Sequence, residues 1–222
     1  MFVEPIQGEG GIIIPHDGYL KKMRELCTKY NVLLVTDEIQ SGLGRTGYMF
    51  AADHEKIRPD MIVMGKALSG GMLPVSAVAA DKVVMDTIVP GEHGNTFCGN
   101  PLAMATATAA MKTLVEEGMV ENSKKMGELF MSELKKMKSP LIQEVRGRGL
   151  FIGVEVKHGD GIKVDGNTFA KCFFKHGVLT KATHDHTVRL TPPLVVREDE
   201  IMQIVEIAHK ALKDLEEVNQ SL

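Results

Sequence analysis

VLLVTDEIQ, residues 32–40, and MIVMGKALSGG, residues 61–71, decide how this chain reads. Each begins as a short apolar run and stops abruptly at charge, Val32 to Val35 before Asp37 and Met61 to Met64 before Lys66. Runs without hydrophobic alternation suit strands buried on both faces, as in a parallel sheet. Upstream, residues 17–30 carry Leu20, Met23, Leu26, Cys27 and Tyr30 at helical spacing. Asp17 is the expected N-cap of that helix, and Asn31 can close it. Pro74 to Ala80 is a third apolar run. Helix, strand, linking segment and strand form the rhythm of an α/β sheet, whose ligands sit beyond the carboxyl ends of the strands. Asp37 and Lys66 both fall at such ends.

Beyond residue 100 the character changes. Asn100 and Pro101 form a cap and first-turn pair for a helix of small residues, Ala103 to Ala110. Met126, Leu129, Phe130, Leu134 and Met137 then repeat at three and four residues, a methionine-rich stripe that reads as core packing. Strand-like runs at Ile142–Val145 and Leu150–Val156 are punctuated by Gly147 and Gly149. A helical segment near Thr168–Lys175, a strand at Val188–Leu190 and an acidic-start helix carrying Ile201, Ile204, Val205, Ala208, Leu212 and Leu215 complete the chain. Strands and helices are more mixed here, which predicts a smaller α+β domain from about residue 120.

Composition narrows the classes. The 222 residues suit one large domain or two small ones, and either can bury a core without disulfides. Lysine plus arginine is 26 and aspartate plus glutamate 29, so the formal charge is 26 − 29 = −3. That mild acidity argues against a nucleic-acid surface, which needs clustered positive charge. No apolar run approaches the roughly 18 residues that span a bilayer. Cysteines 27, 98 and 172 form no CxxC pair, so a reducing compartment is expected. The opening MFVEPIQGEGG is neither a signal peptide nor a transit sequence and reads as a strand entering a glycine-rich turn, as if the chain started in mid-fold.

Gly42-Leu43-Gly44-Arg45-Thr46-Gly47 matches G-x-G-x-x-G letter for letter. A dinucleotide fingerprint must follow a strand directly and open a helix; here Asp37 to Ser41 intervene and a poor crossover helix follows, so a glycine-rich turn is expected. His184 and His186 lack metal-ligand spacing, and no metal site is expected. Asp37 and Lys66 make the better constellation. A desolvated lysine amine is a nucleophile toward a carbonyl, and the glycines beside Lys66 let backbone approach a bulky ligand. Lysine bound to the aldehyde, with an acid at the pyridinium nitrogen, describes a pyridoxal phosphate site. Spacing alone leaves a buried structural ion pair equally open.

The chain resembles the class III, fold type I pyridoxal phosphate-dependent aminotransferases, and among them the ornithine aminotransferases. The resemblance spans Val3 to the C-terminal helix. It is carried by VEPIQGEGG (3–11), TDEIQSGLGRTG (36–47), GKALSGGMLPVSAV (65–78), GEHGNTFCGNPLA (91–103), VRGRGL (145–150) and VRLTPPLV (188–195), in that order. It implies that residues 1–119 are the C-terminal portion of the cofactor-binding large domain, with a mainly parallel sheet, and 120–222 a small α+β domain. Lys66 then matches the lysine that binds the cofactor and shuttles a proton. Asp37 matches the pyridinium partner, Gln40 the donor to the phenolic oxygen, and Ile39 the apolar residue on one ring face. Glu9 and Arg189 match the pair that lets one site take two substrates: the arginine forks a carboxylate of 2-oxoglutarate, and the glutamate masks it when ornithine enters. Thr96 matches the residue that reaches the phosphate of the neighbouring subunit, which implies a homodimer; Asn95 stands where serine is usual.

The implied reaction moves the δ-amino group of L-ornithine to 2-oxoglutarate, with acetylornithine or another ω-amino acid as the alternative donor, or a non-catalytic fragment. Family chains begin well before the VEP motif. The segment they carry there supplies a phosphate-binding turn, a ring-stacking aromatic residue and most ornithine contacts, so this chain alone is expected to bind pyridoxal phosphate poorly and turn over little.

Overall fold

A computed structural model describes residues 1–159 and 161–221. By internal contacts the chain forms two units. One comprises Met1–Pro5, Pro15–Gly44 and Tyr48–Met119; the other comprises Ile6–Ile14, Arg45–Gly47 and the chain from Val120 onward.

The first unit is built on a four-stranded sheet. Strand β1 (Phe2–Val3) leads to helix α1 (Tyr19–Lys29), then β2 (Val35–Asp37), β3 (Met61–Met64) and β4 (Ala77–Ala80). The strands lie in sequence order, β1, β2 and β3 parallel and β4 antiparallel to β3. Two helices follow, the short α2 (Lys82–Met85) and the long α3 (Pro101–Glu116). Helix α3 starts as its sequence predicts, with Pro101 in the first turn and the Asn100 side chain accepting from the Leu102 and Ala103 N–H groups. Helix α1 ends at Asn31, in the left-handed region at φ 51°, where the Val32 N–H reaches back 2.8 Å to the Cys27 carbonyl. Its start differs from expectation. The N-cap is Gly18 at φ +83° with no side-chain cap, because the chain turns in through a left-handed residue one position after Asp17.

Burial in this unit is lower than the apolar runs suggest. Val32 and Leu33 lie before β2 and are exposed, and Leu26 and Tyr30 point outward from α1. Strand β3 is half-buried along its length; β4, at the edge of the described sheet, leaves Val78 47% exposed. The residues that pack against these strands cover only part of each face, and hydrophobic periodicity cannot report how much cover a strand receives.

The second unit holds the large apolar core. Helix α4 (Met119–Leu134) leads to the hairpin of β5 (Ile142–Arg148) and β6 (Phe151–Val156), then α5 (Gly166–Lys175), the hairpin of β7 (Lys181–Thr183) and β8 (Thr187–Leu190), and α6 (Glu198–Ser221). The sheet is antiparallel throughout, ordered β5-β6-β8-β7. Met126, Phe130, Leu134 and Met137 of the expected stripe join Ile152, Val154, Val188, Leu190, Ile201, Val205, Ala208, Leu212 and Leu215 in one core cluster. The β5–β6 turn depends on glycine. A Cβ on Gly149, at φ +53°, would lie 2.4 Å from the Thr46 carbonyl carbon, and one on Gly127 of α4 would lie 2.2 Å from the Gly149 carbonyl. Gly147 lies within β5 instead of ending it, and neither β7 nor α2 was legible as an element.

Candidate active site

Parallel pairing places Asp37 opposite Val63, so the ends of β2 and β3 stand side by side. Lys66 follows two residues after Met64 and opens a short 3-10 turn, Lys66–Ser69. Its φ of +42° is rare for a residue with a Cβ, a conformation that costs about 1–3 kcal/mol and concentrates at functional sites. The lysine lines a cavity of about 430 Å³ with Ser76, Asn95, Phe97 and Cys98 among its neighbours. It is exposed, so the desolvation expected at a strand end is not provided by the residues around it. The Asp37 carboxylate accepts from the Ile39 N–H at 3.0 Å, which turns the chain away from the strand axis. Ile39 in turn lies over Gly65: its Cγ atoms are 3.5 and 3.6 Å from where a Gly65 Cβ would stand. Gln40 is half-buried in the same turn, and Thr96 is exposed in the turn that precedes α3.

Glu38, between these residues, is the buried charge that sequence reading passed over. It accepts from Ser41 Oγ at 2.7 Å, the Ala51 N–H at 3.0 Å and the Ala52 N–H at 2.9 Å. Burial pushes its carboxyl above the ordinary range, and these three hydrogen bonds pull the other way without cancelling it. Gly42 is required beside it, since a Cβ there would meet the Glu38 carbonyl oxygen at 2.8 Å. The Gly42–Gly47 stretch is a turn, followed by a 3-10 helix at Ala51–Glu55.

Glu9 and Arg189 meet within the second unit. Glu9 Oε1 is 3.0 Å from Arg189 Nη1, and Glu9 Oε2 is 3.5 Å from Lys181 Nζ. The turn that carries Glu9 is closed by a bridge between Gln7 and Ile13. Thr183 Oγ1 donates to the Glu9 carbonyl at 2.9 Å, and the Arg146 guanidinium donates to the Gly11 and Ile12 carbonyls. Arg45 donates to the carbonyls of Pro192 at 2.6 Å and Leu150 at 3.2 Å. Burial first, and then the positive Arg189, lower the Arg45 pKa to about 10.

The family described as Aminotransferase class-III matches residues 1–212. The chain belongs to the class-III aminotransferases. It is 53% identical over 213 residues to the mitochondrial ornithine aminotransferase of Arabidopsis thaliana, covering 95% of this chain and 45% of that protein. Among solved structures, the ornithine aminotransferase of Toxoplasma gondii ME49 matches with a TM-score of 0.92 at 44% identity, over 97% of this chain and 51% of that one. An acetylornithine aminotransferase from Elizabethkingia anophelis matches with a TM-score of 0.89 at 43% identity, over 96% and 56%. The chain spans about half the length of the curated relatives it matches. Its α/β architecture is that of fold type I aminotransferases. No helix among the described residues is long and apolar enough to cross a membrane.

For this class-III chain, Glu38, Arg45 and Lys181 are the charged groups that sequence reading missed. A second carboxylate next to Asp37 at a strand end was a usable signal for Glu38. Lys181 gives none, because its relation to Arg189 exists only in the strand register.

Proposed function

We propose that this chain supplies the cofactor-binding lysine and the carboxylate-binding arginine of an aminotransferase that moves the δ-amino group of L-ornithine to 2-oxoglutarate, giving glutamate 5-semialdehyde and L-glutamate. The observation that carries the reading is Asp37 and Lys66 at the carboxyl ends of adjacent parallel strands, in a chain so close in sequence to ornithine aminotransferases. The residues present fit pyridoxal phosphate: a primary amine for its aldehyde, a carboxylate for its ring nitrogen, apolar Ile39 for a ring face, and a cavity beside Lys66. When bound, the cofactor supplies an electron sink for the charge left as a proton departs the substrate carbon.

The chain's own residues do the rest. The Lys66 amine would hold the cofactor through its aldehyde, and Nζ would carry a proton between the substrate carbon and the cofactor C4′. Asp37 holds a proton on the ring nitrogen by its negative charge. Gln40 donates to the phenolic oxygen. Arg189 forks a carboxylate of 2-oxoglutarate, a geometry lysine does not reproduce, while Glu9 covers that guanidinium during the ornithine half of a ping-pong cycle. Thr96, exposed before α3, reaches the phosphate in the neighbouring subunit of a homodimer. Three free cysteines suit a reducing compartment, cytoplasm or mitochondrial matrix.

The test is the absorption spectrum of the purified chain with added pyridoxal phosphate, followed by borohydride reduction and peptide mapping. The label is expected on Lys66 and absent from Lys66→Ala. A label elsewhere, or none, both in this chain and in one extended at its N-terminus to the relatives' length, sinks the reading. The likeness to an acetylornithine enzyme favours one rival. Comparing half-reaction rates for ornithine and N-acetylornithine decides between them, and a faster N-acetylornithine reaction would replace ornithine as the donor.

A further inference from the structure

Strands β7 and β8 pair so that Lys181 stands directly opposite Arg189. Residues directly opposite send their side chains to the same face, and like charges so placed destabilise a sheet. Here a carboxylate sits across them, with one Glu9 oxygen toward Arg189 and the other toward Lys181. One carboxylate thus bridges the two cations. We infer that Lys181 and Arg189 together form a seat for one substrate carboxylate, which Glu9 fills until a dicarboxylate displaces it; this rests on the carboxylate role proposed above for Arg189.

The charge around the seat supports an exchange of one anion for another. Arg45 adds a third positive group, held by the Pro192 carbonyl just beyond β8 and still protonated at neutral pH. Two cations, Lys181 and Arg189, therefore share one Glu9 carboxylate, and Arg45 adds positive charge near Arg189. Withdrawing that carboxylate removes the counter-charge the two cations share, and an entering anion restores it. Access has the right asymmetry. The Glu9 side chain is 60% exposed and Arg189 only 19%, so the resident carboxylate can leave toward solvent while the arginine stays. The backbone under Glu9 is pinned by Thr183 and Arg146, which confines the exchange to the Glu9 side chain. An incoming ammonium would be repelled by the bare seat, so Lys181 helps set the preference for a dicarboxylate over an amine-ended substrate.

The test is calorimetric titration of glutarate into the 222-residue chain at low salt, without cofactor. Glu9→Gln is expected to tighten glutarate binding by freeing the seat. In the Glu9→Gln background, Lys181→Met is expected to weaken binding about five-fold, the scale of one partly exposed charge pair, and Lys181→Arg to restore it. Lys181→Met leaving glutarate affinity unchanged while Arg189→Met abolishes it overturns the shared seat and leaves the proposed function standing. A loss that Lys181→Arg fails to restore assigns the effect to packing and also overturns it. If the Glu9→Gln chain binds no glutarate, the shared seat falls, and labelling of Lys66 decides the proposed function separately.

Discussion

Glu38 holds the turn of the candidate site in place. Its carboxylate joins Ser41 to the first N–H groups of the 3-10 helix at Ala51–Glu55, and so fixes the segment that carries Asp37, Ile39 and Gln40. Glutamine keeps the size but replaces an acceptor oxygen with a donor that faces other donors. Glu38→Gln is expected to destabilise the chain by about 1–3 kcal/mol, read as a lower urea midpoint at constant slope. Its pH signature has a definite sign. Burial raises the folded pKa above 4.5, so the folded chain binds this proton more tightly than the unfolded one. That contribution is full below the unfolded value and is lost as pH rises through the folded value; the variant should lack this dependence. A midpoint unchanged in Glu38→Gln would show that the three hydrogen bonds contribute nothing net. At this scale the sequence exposed Lys66 and Asp37, because a charge that ends an apolar run stands out locally. It concealed Glu38, whose partners at 51 and 52 are brought in by the turn.

Elements in the first unit are tied by side chains as much as by the ladder. Asp60 Oδ2 accepts at 2.6 Å from both the Leu34 N–H and Arg24 Nη1, clipping α1 to the approaches of β2 and β3. Burial works against the charge of Asp60, but the Leu34 and Arg24 hydrogen bonds outweigh it and hold the carboxyl below its usual 3.8. The sign is opposite to that of Glu38. Stability from Asp60 is present above 3.8 and is lost as pH falls through the lower folded value. Asp60→Asn should cost about 1–2 kcal/mol at neutral pH and flatten the acid limb of the stability curve; an acid limb identical to wild type would refute the clip. Element identity was largely readable. The Asn100–Pro101 cap, the Asn31 stop and the core stripe of α4 are local signals, and the structure repeats them. Strand β7 was not readable, since three residues with mixed burial carry no period.

Across the whole molecule, apolar burial is uneven. The continuous core belongs to the second unit, whereas β4 and much of β3 in the first remain accessible. Local opening should follow that distribution. In hydrogen exchange, amides of β6 and β8 are expected to be the slowest and those of β4 to exchange far faster. Comparable protection in β4 would show cover that the exposed Val78 does not reveal. The same accessibility at Lys66 leads us to expect weak pyridoxal phosphate uptake by this chain relative to its longer relatives, measurable as a higher concentration for half-maximal labelling.

By itself the sequence determined the α/β order, the Asn100–Pro101 cap of α3 and the membership in the class-III aminotransferases. Each rests on patterns within a few neighbouring residues or on whole motifs read in order. Tertiary structure alone decided that the apolar strands of the first unit are only half covered, that Glu38 is a buried clasp, and that Glu9 lies across Lys181 and Arg189. Burial and charge pairing are sums over groups distant in the chain, here residues 9, 181 and 189, and only folding brings those groups together.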